Sequence, residues 1–397
     1  MNFSSLANRL SGQAGGTWNV HYEAVRRQNA GEDVILLTVG TPDQPAPSAV
    51  IEATAEALRQ GQTKYAPILG THELRAALAR RMERQTGTPC TPGNIAVTAG
   101  AQGGLFFAML AMAQAGDEVL VPEPMYATYP GVVAASGASL VPVPLPPDTG
   151  FQLDVDIIAR AITPRTRVIW INSPNNPTGA VYDREAVAAL GEICRRHGIW
   201  LLSDEVYADL SFGRAHASAW SLAGLPTRVV VSSLSKSHSM PGFRLGWIVG
   251  PEELIQRLQG VLLAGQYGGP PFVQAGALTA VTSEFPEIAA MRDTYAHRAA
   301  ILRDALKNTP GCRPLAPQGG MFLLLDVRGT GLSAGDFAAK LLARGGVALL
   351  PCDGFGTSAT GHVRISLGAP EGTLREAARR IVSFCNSLPI SKLAANS

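Results

Sequence analysis

Apolar runs of strand length recur between about residues 95 and 250, each bounded by turn-forming or helical sequence. Ile95–Thr98, 118–121, 168–171, 199–202, 229–232 and Gly246–Val249 hold few polar residues, the pattern of strands buried on both faces. Amphipathic stretches such as 105–114 and Arg184–His197 separate them. This alternation predicts an α/β fold with a mostly parallel sheet and helices on both faces. Beyond about residue 285 the pattern changes: a helical stretch over 286–307 leads to an apolar run at 321–326, a helix over 334–344, a strand at 362–365 and a closing helix from Glu371. That order predicts a smaller α+β unit. The first 45 residues show no sheet of their own and are expected to pack against it. The predicted organisation is therefore an N-terminal segment (1–45), a large domain (46–285) and a small C-terminal domain (286–397). Patches rich in Pro and Gly at 40–47, 142–150, 174–179 and 268–271 fall between the periodic segments.

Composition narrows the function classes. A chain of 397 residues with a formal net charge of +2 and dispersed Lys and Arg shows no nucleic-acid footprint. Its apolar runs fall far short of the roughly 20 residues that a membrane span needs. The start, MNFSSLANRL, lacks the basic and apolar regions of a secretory signal. Five cysteines without CxxC spacing fit reduced thiols in a cytoplasmic protein better than a disulfide frame, and no metal site is expected.

In open α/β sheets ligands bind beyond the carboxyl ends of the strands, so the residues that follow each apolar run matter most. Ile95–Thr98 is followed by Ala99-Gly100-Ala101-Gln102-Gly103 and an apolar helix. The run at 168–171 enters Asn172-Ser173-Pro174-Asn175-Asn176-Pro177-Thr178-Gly179, and that at 199–202 enters Ser203-Asp204-Glu205-Val206-Tyr207. The run at 229–232 leads to Ser233-Leu234-Ser235-Lys236. Taken singly, these are a tight turn, a proline turn, a helix cap and a solvated lysine. Together they place a helix N-terminus, an Asn, an Asp, a Tyr, Ser hydroxyls and a Lys on one sheet edge.

The run Ser233-Leu234-Ser235-Lys236-Ser237-His238-Ser239-Met240-Pro241-Gly242-Phe243-Arg244-Leu245-Gly246-Trp247 resembles the Schiff-base motif of class I/II aminotransferases, which are fold type I pyridoxal-phosphate enzymes. Lys64-Tyr65, Gly70, Glu73-Leu74-Arg75, Glu123-Pro124-Met125-Tyr126, the NNPTG and SDEVY segments and His362-Val363-Arg364-Ile365-Ser366 continue the match over nearly the whole chain. Within the family, Thr17-Trp18-Asn19-Val20-His21-Tyr22, the residues around Lys236 and the block 319–333 resemble the bacterial arginine–pyruvate branch.

The resemblance implies an aspartate-aminotransferase-like fold and pyridoxal 5'-phosphate as cofactor. Lys236 would hold the cofactor as a Schiff base and, once released, move the substrate Cα proton. Asp204 would face the pyridine nitrogen and keep it protonated. Tyr207 and Asn176 would bond the ring's phenolic oxygen, and Tyr126 would stack on the ring, a role to weigh against a core aromatic. Arg244, Ser233, Ser235 and the backbone N–H groups of Ala101 and Gln102 would hold the phosphate. Tyr65 would reach the neighbouring subunit's phosphate, which implies a homodimer with shared active sites. Arg364 would clamp the substrate carboxylate, with Gly40 and Asn176 beside it; the plain alternative is a strand-end arginine in a surface ion pair.

Two stretches depart from the family pattern. Gly40-Thr41-Pro42-Asp43-Gln44-Pro45 is shortened and lacks a Phe found in many members, and Pro241 stands where many relatives have Thr. No acidic pair that would grip a guanidinium is identifiable. The expected reaction moves an amino group from an amino acid, with arginine or another basic or neutral one as candidate donor, to a 2-oxo acid such as pyruvate or 2-oxoglutarate. The alternative is a β/γ-lyase or synthase of the same fold, since elimination begins with the same Cα proton. A ligand-sensing regulator of this fold would need a DNA-binding domain, for which the sequence ahead of residue 17 leaves no room.

Overall fold

The structure, a computed structural model, describes residues 2–10 and 15–389; the remaining residues of the expected terminal segments lie outside the described residues. Thirteen strands occur among them: β1 Ile35–Leu36, β2 Ile95–Thr98, β3 Glu118–Glu123, β4 Ser139–Pro144, β5 Thr166–Asn172, β6 Trp200–Asp204, β7 Arg228–Ser233, β8 Gly246–Val249, β9 Arg313–Leu315, β10 Phe322–Asp326, β11 Val347–Ala348, β12 Leu350–Pro351 and β13 His362–Ser366.

Seven of them form the central sheet in the order β2-β8-β7-β6-β5-β3-β4. Only β8 runs against its neighbours; the other pairings are parallel. The sheet is thus mostly parallel, as its unbroken apolar runs predict. Trp170, Ile169, Leu201, Leu202 and Val229 to Val231 are all buried, covered by helices such as Gly100–Met112 and Arg184–His197. The second of these has Glu185 in its first turn and Arg195, Arg196 and His197 in its last, charges that suit the helix dipole at both ends.

Strand β4 does not follow from the apolar pattern. Pro142 and Pro144 make its sequence read as part of a turn patch, yet β4 is the sheet's edge strand, where a missing N–H costs no ladder bond. The helix Gly100–Met112 also begins earlier than the apolar pattern suggests, because Gly100 to Gln102 already form its first turn.

A second, four-stranded antiparallel sheet has the order β12-β13-β10-β9. Helices Pro286–Leu306, Ala334–Gly345 and Glu371–Asn386 share a core with it, including Leu302, Phe337, Val363, Ile365 and Phe384. The first 45 residues do contribute a strand: β1 pairs in parallel with β11. Helix Asn19–Asn29 packs there too, with Ala24 against Leu342 and Ala348, and Arg27 donating to the Leu342 carbonyl at 2.7 Å. Among the described residues no helix is long and apolar enough to cross a membrane.

Candidate active site

Strand direction decides which loops meet. Because β2, β3, β5, β6 and β7 are mutually parallel, the residues after their last positions share one edge of the sheet. Antiparallel β8 begins at that edge, which brings in Arg244 from the chain just before it. A cavity of about 240 Å³ opens there, and it is lined by Gly40, Ala101, Gln102, Tyr126, Asn176, Asp204, Tyr207, Ser233, Ser235, Lys236, Arg244 and Arg364. Every site residue expected from the sequence lines it except Tyr65. That residue is 85% exposed and lies edge-on to Tyr267, with ring centroids 5.0 Å apart.

Lys236 sits in the turn after β7, and its Nζ donates to the Gly40 carbonyl at 2.7 Å. Burial pushes its pKa down to about 8, and the Arg364 and Arg244 guanidinium groups push the same way. Gly40 has no room for a side chain: a Cβ there would come within 2.3 Å of the Phe322 ring. That ring in turn lies beneath the Arg364 guanidinium at 4.0 Å.

Arg364, in β13, is fully buried rather than a surface strand-end residue. Its Nη1 donates to Asn176 Oδ1 at 2.8 Å and its Nη2 to the Thr38 carbonyl at 2.6 Å. Phe355 adds a second ring at 5.2 Å. Among the described residues no carboxylate pairs with it and its Nε has no hydrogen-bond partner. An anionic group reaching this guanidinium would complete a buried cation, which is otherwise costly.

Asp204, at the end of β6, is buried and accepts from the Tyr129 hydroxyl at 2.6 Å and from the Val206 N–H at 3.2 Å. Burial raises its pKa to about 6, against the pull of the Tyr129 bond. Asn172 braces the two strands, donating to the Asp204 carbonyl at 3.0 Å and accepting from the Asn176 N–H at 2.8 Å. Burial also raises the Tyr207 and Tyr126 hydroxyl pKa values, so both remain protonated donors at neutral pH.

The other end of the cavity is basic. Arg244 adopts a left-handed backbone (φ 52°), and its Nη2 donates to the Ala99 carbonyl at 3.2 Å. Gly100 (φ +74°) opens the helix beneath it, where a Cβ would come within 2.5 Å of that Nη2. The guanidinium therefore lies over the first turn of Gly100–Met112, whose free N–H groups favour an anion. Ser233 and Ser235 add two buried hydroxyls.

Pyridoxal phosphate fits this set by chemistry. Arg244 with the helix N-terminus suits its phosphate, Asp204 suits a protonated pyridine nitrogen, and the Lys236 amine suits its aldehyde. The sequence does not mark Trp18, Asn172, Phe322 or Tyr129 as site residues, yet all of these line the cavity. For Tyr129 a signal existed, since it lies three residues beyond Tyr126 at a helix start. The Asp43 loop, short of the family's Phe, is held otherwise: Asp43 forms a two-pronged pair with Arg298 at 3.0 and 2.8 Å.

The chain is similar to known proteins over nearly its whole length. The model for aminotransferase class I and II matches residues 32–381. The chain is similar to an arginine–pyruvate transaminase of Pseudomonas aeruginosa, 43% identical over 96% of this chain and 97% of the relative. It is 37% identical to an aspartate/prephenate aminotransferase of Thermus thermophilus, over 91% of this chain and 93% of that one. The solved structure of Thermus thermophilus aspartate aminotransferase with maleate superposes with a TM-score of 0.92 at 34% identity, covering 97% of this chain and 100% of that structure. With a family match across most of its length and relatives alike from end to end, this chain belongs to the class I and II aminotransferases.

Proposed function

We propose that this chain uses pyridoxal 5'-phosphate to move the amino group of a basic or neutral amino acid to pyruvate or 2-oxoglutarate. The observation that carries the reading is the meeting of Lys236, Asp204 and Arg364 in one cavity, from the turn after β7, the end of β6 and β13. When bound, the cofactor supplies an electron sink for the pair left as the substrate Cα loses its proton.

The chain's own residues do the rest. Arg364 receives the substrate carboxylate in a planar fork already oriented by Asn176, Thr38 and two aromatic rings. Lys236, with its pKa near 8, keeps a substantial neutral fraction near neutral pH and can take the Cα proton and return it elsewhere. Asp204, fixed by Tyr129, would hold a proton on the ring nitrogen, while Tyr207 and Asn176 would donate to the ring oxygen. Arg244, Ser233, Ser235 and the N–H groups of Ala101 and Gln102 would hold the phosphate.

Arginine is the candidate donor on the strength of the 43% identity with an arginine–pyruvate transaminase. Residues 46–285 and 286–397 act as large and small domains; Asn19–Asn29 and β1 lie on the small one, whereas helix Ser5–Leu10, expected there too, lies against Tyr129–Ser136 of the large one, with Arg9 donating to the Ala134 carbonyl at 3.2 Å. The enzyme works as a cytoplasmic homodimer in which the exposed Tyr65 reaches the partner's phosphate site. A half-reaction screen tests the function: the cofactor-loaded protein is titrated with each amino acid while the bound chromophore is followed. Loss of the yellow absorbance with one class of donor, and its return with a 2-oxo acid, is the expected result. No donor response, or release of oxo acid and ammonia without an acceptor, would replace transamination with another chemistry such as elimination.

A further inference from the structure

Two residues beyond Lys236, in the same turn, a histidine is buried to 2% exposure. His238 Nε2 lies 3.0 Å from the Ala280 carbonyl, which can only accept, so Nε2 carries the proton. Nδ1 is then the acceptor and takes the Ser237 hydroxyl at 2.8 Å. Burial lowers the ring's pKa, and Arg81 nearby acts in the same sense against the opposing pull of Asp209. The neutral tautomer is the form that these bonds require.

Both ends of this link matter. Ala280 is in the last turn of helix Pro271–Thr282, where carbonyls lack intrahelical partners, so the imidazole closes a helix end. The ring also meets Phe285 edge-on at 6.1 Å, and Phe285 immediately precedes helix Pro286–Leu306. At its own end, the turn is closed by the His238 and Met240 N–H groups, which both donate to the Leu234 carbonyl at 3.2 and 3.3 Å. Ser239 adopts a left-handed backbone (φ 53°).

His238 lies where two clefts approach the turn, one beside Arg81 and Asp209 and one beside Ser237 and Met291. With the residue 2% exposed and both ring nitrogens bonded, the two hydrogen bonds fix the orientation of the ring within its packing. We propose that His238 is a positioning residue for Lys236: its imidazole clamps the lysine-bearing turn to the connector between helices Pro271–Thr282 and Pro286–Leu306, and so sets the place of Nζ. This rests on the reading of Lys236 as the proton-moving group. It makes the lysine's position depend on the segment that joins the central sheet to the smaller one.

Three variants test it. His238→Leu fills part of the space but makes neither bond, His238→Gln keeps an N–H that can reach Ala280, and Ser237→Ala removes only the hydroxyl. In cofactor-free protein, the rate at which trinitrobenzenesulfonate modifies Lys236 is followed against pH by peptide mass spectrometry. His238→Leu is expected to raise that lysine's apparent pKa from about 8 towards its ordinary value, as a loosened turn lets water reach the amine. In the loaded enzyme the same change lowers kcat about tenfold, with KM for the amino acid within about twofold, because a small displacement of the base falls on the chemical step. Binding of pyridoxamine 5'-phosphate stays at the wild-type level, and His238→Gln restores most of the loss.

A His238→Leu protein with wild-type lysine titration and wild-type kcat would overturn the proposal. So would a variant in which thermal stability, cofactor binding and kcat fall together and Gln restores none of them. If the wild-type enzyme responds to no amino donor, the functional reading fails, yet the lysine titration still decides the role of His238.

Discussion

The Tyr129 hydroxyl donates to Asp204 Oδ2 at 2.6 Å while its ring stacks on Trp170 at 3.9 Å, so one side chain is held by the sheet and itself holds the buried carboxylate. Trp170 belongs to β5 and Asp204 to β6, and Tyr129 opens the helix that follows β3. The aspartate is thereby fixed by a residue at a helix start that is itself braced on the neighbouring strand β5. A donor at this distance favours the charged carboxylate, whereas burial opposes it.

Tyr129→Phe should keep the stack and lose only the donor. The Asp204 pKa then rises further, and a more protonated carboxyl is a poorer partner for a pyridinium. We expect kcat to fall about tenfold with KM little changed, and the acidic limb of the kcat–pH profile to move up by about one unit. An unmoved limb with undiminished kcat would show that Tyr129 only packs.

Asp204 also predicts how the cofactor-free protein responds to pH. Its pKa rises on folding from an ordinary 3.8 to about 6, so the folded state holds the proton more tightly than the unfolded chain. The associated stability is fully present below about pH 4 and is lost as pH rises through about 6. Asp204→Asn, which does not titrate, should escape that loss. Relative to the wild type it should gain stability across this window, on the order of 3 kcal/mol by pH 7. Urea midpoints of both cofactor-free proteins at pH 4 and pH 7 measure the difference; an equal gap at both pH values would refute the assigned shift.

Lys236→Ala should still bind the cofactor through the phosphate-binding end of the cavity, where Arg244 and the helix N-terminus are untouched. It should form no borohydride-reducible link to the protein. Transamination should fall by at least about three orders of magnitude, in keeping with loss of both nucleophile and proton carrier. Mass spectrometry after borohydride treatment decides the point, and a reduced adduct on another lysine at this site would move the assignment.

Much of this was legible in the sequence because buried parallel strands leave long apolar runs whose polar successors must share an edge. Lys236, Asp204 and Asn176 could be placed together on that basis alone. Arg244 could not, since the direction of β8 is a tertiary fact that the run Gly246–Val249 does not encode. Strand β4 was hidden by its prolines, which only an edge position permits. The aromatic bed of Arg364 was illegible for a different reason: Phe322 lies 42 residues before it in the chain and meets it only through the pairing of β10 with β13. The anchoring of Asp43 by Arg298 is of the same kind, a contact across 255 residues.

That aromatic bed yields the sharpest test of the substrate clamp. Arg364→Lys keeps the positive charge but loses the planar fork, so Asn176 and Thr38 cannot both be bonded while a carboxylate is gripped at two points. The lysine's compact charge would also rest poorly between Phe322 and Phe355, where the guanidinium lies at 4.0 and 5.2 Å. We expect KM for the amino acid and for the oxo acid to rise together by about 100-fold, equivalent to roughly 3 kcal/mol of lost carboxylate binding. Cofactor affinity should stay within about threefold, since the phosphate-binding residues are at the other end of the cavity. Amines that lack a carboxylate separate the two possible causes. Their slow turnover should be equal in the wild type and in Arg364→Lys if the arginine acts on the carboxylate, and should fall in the variant if it acts on the cofactor instead.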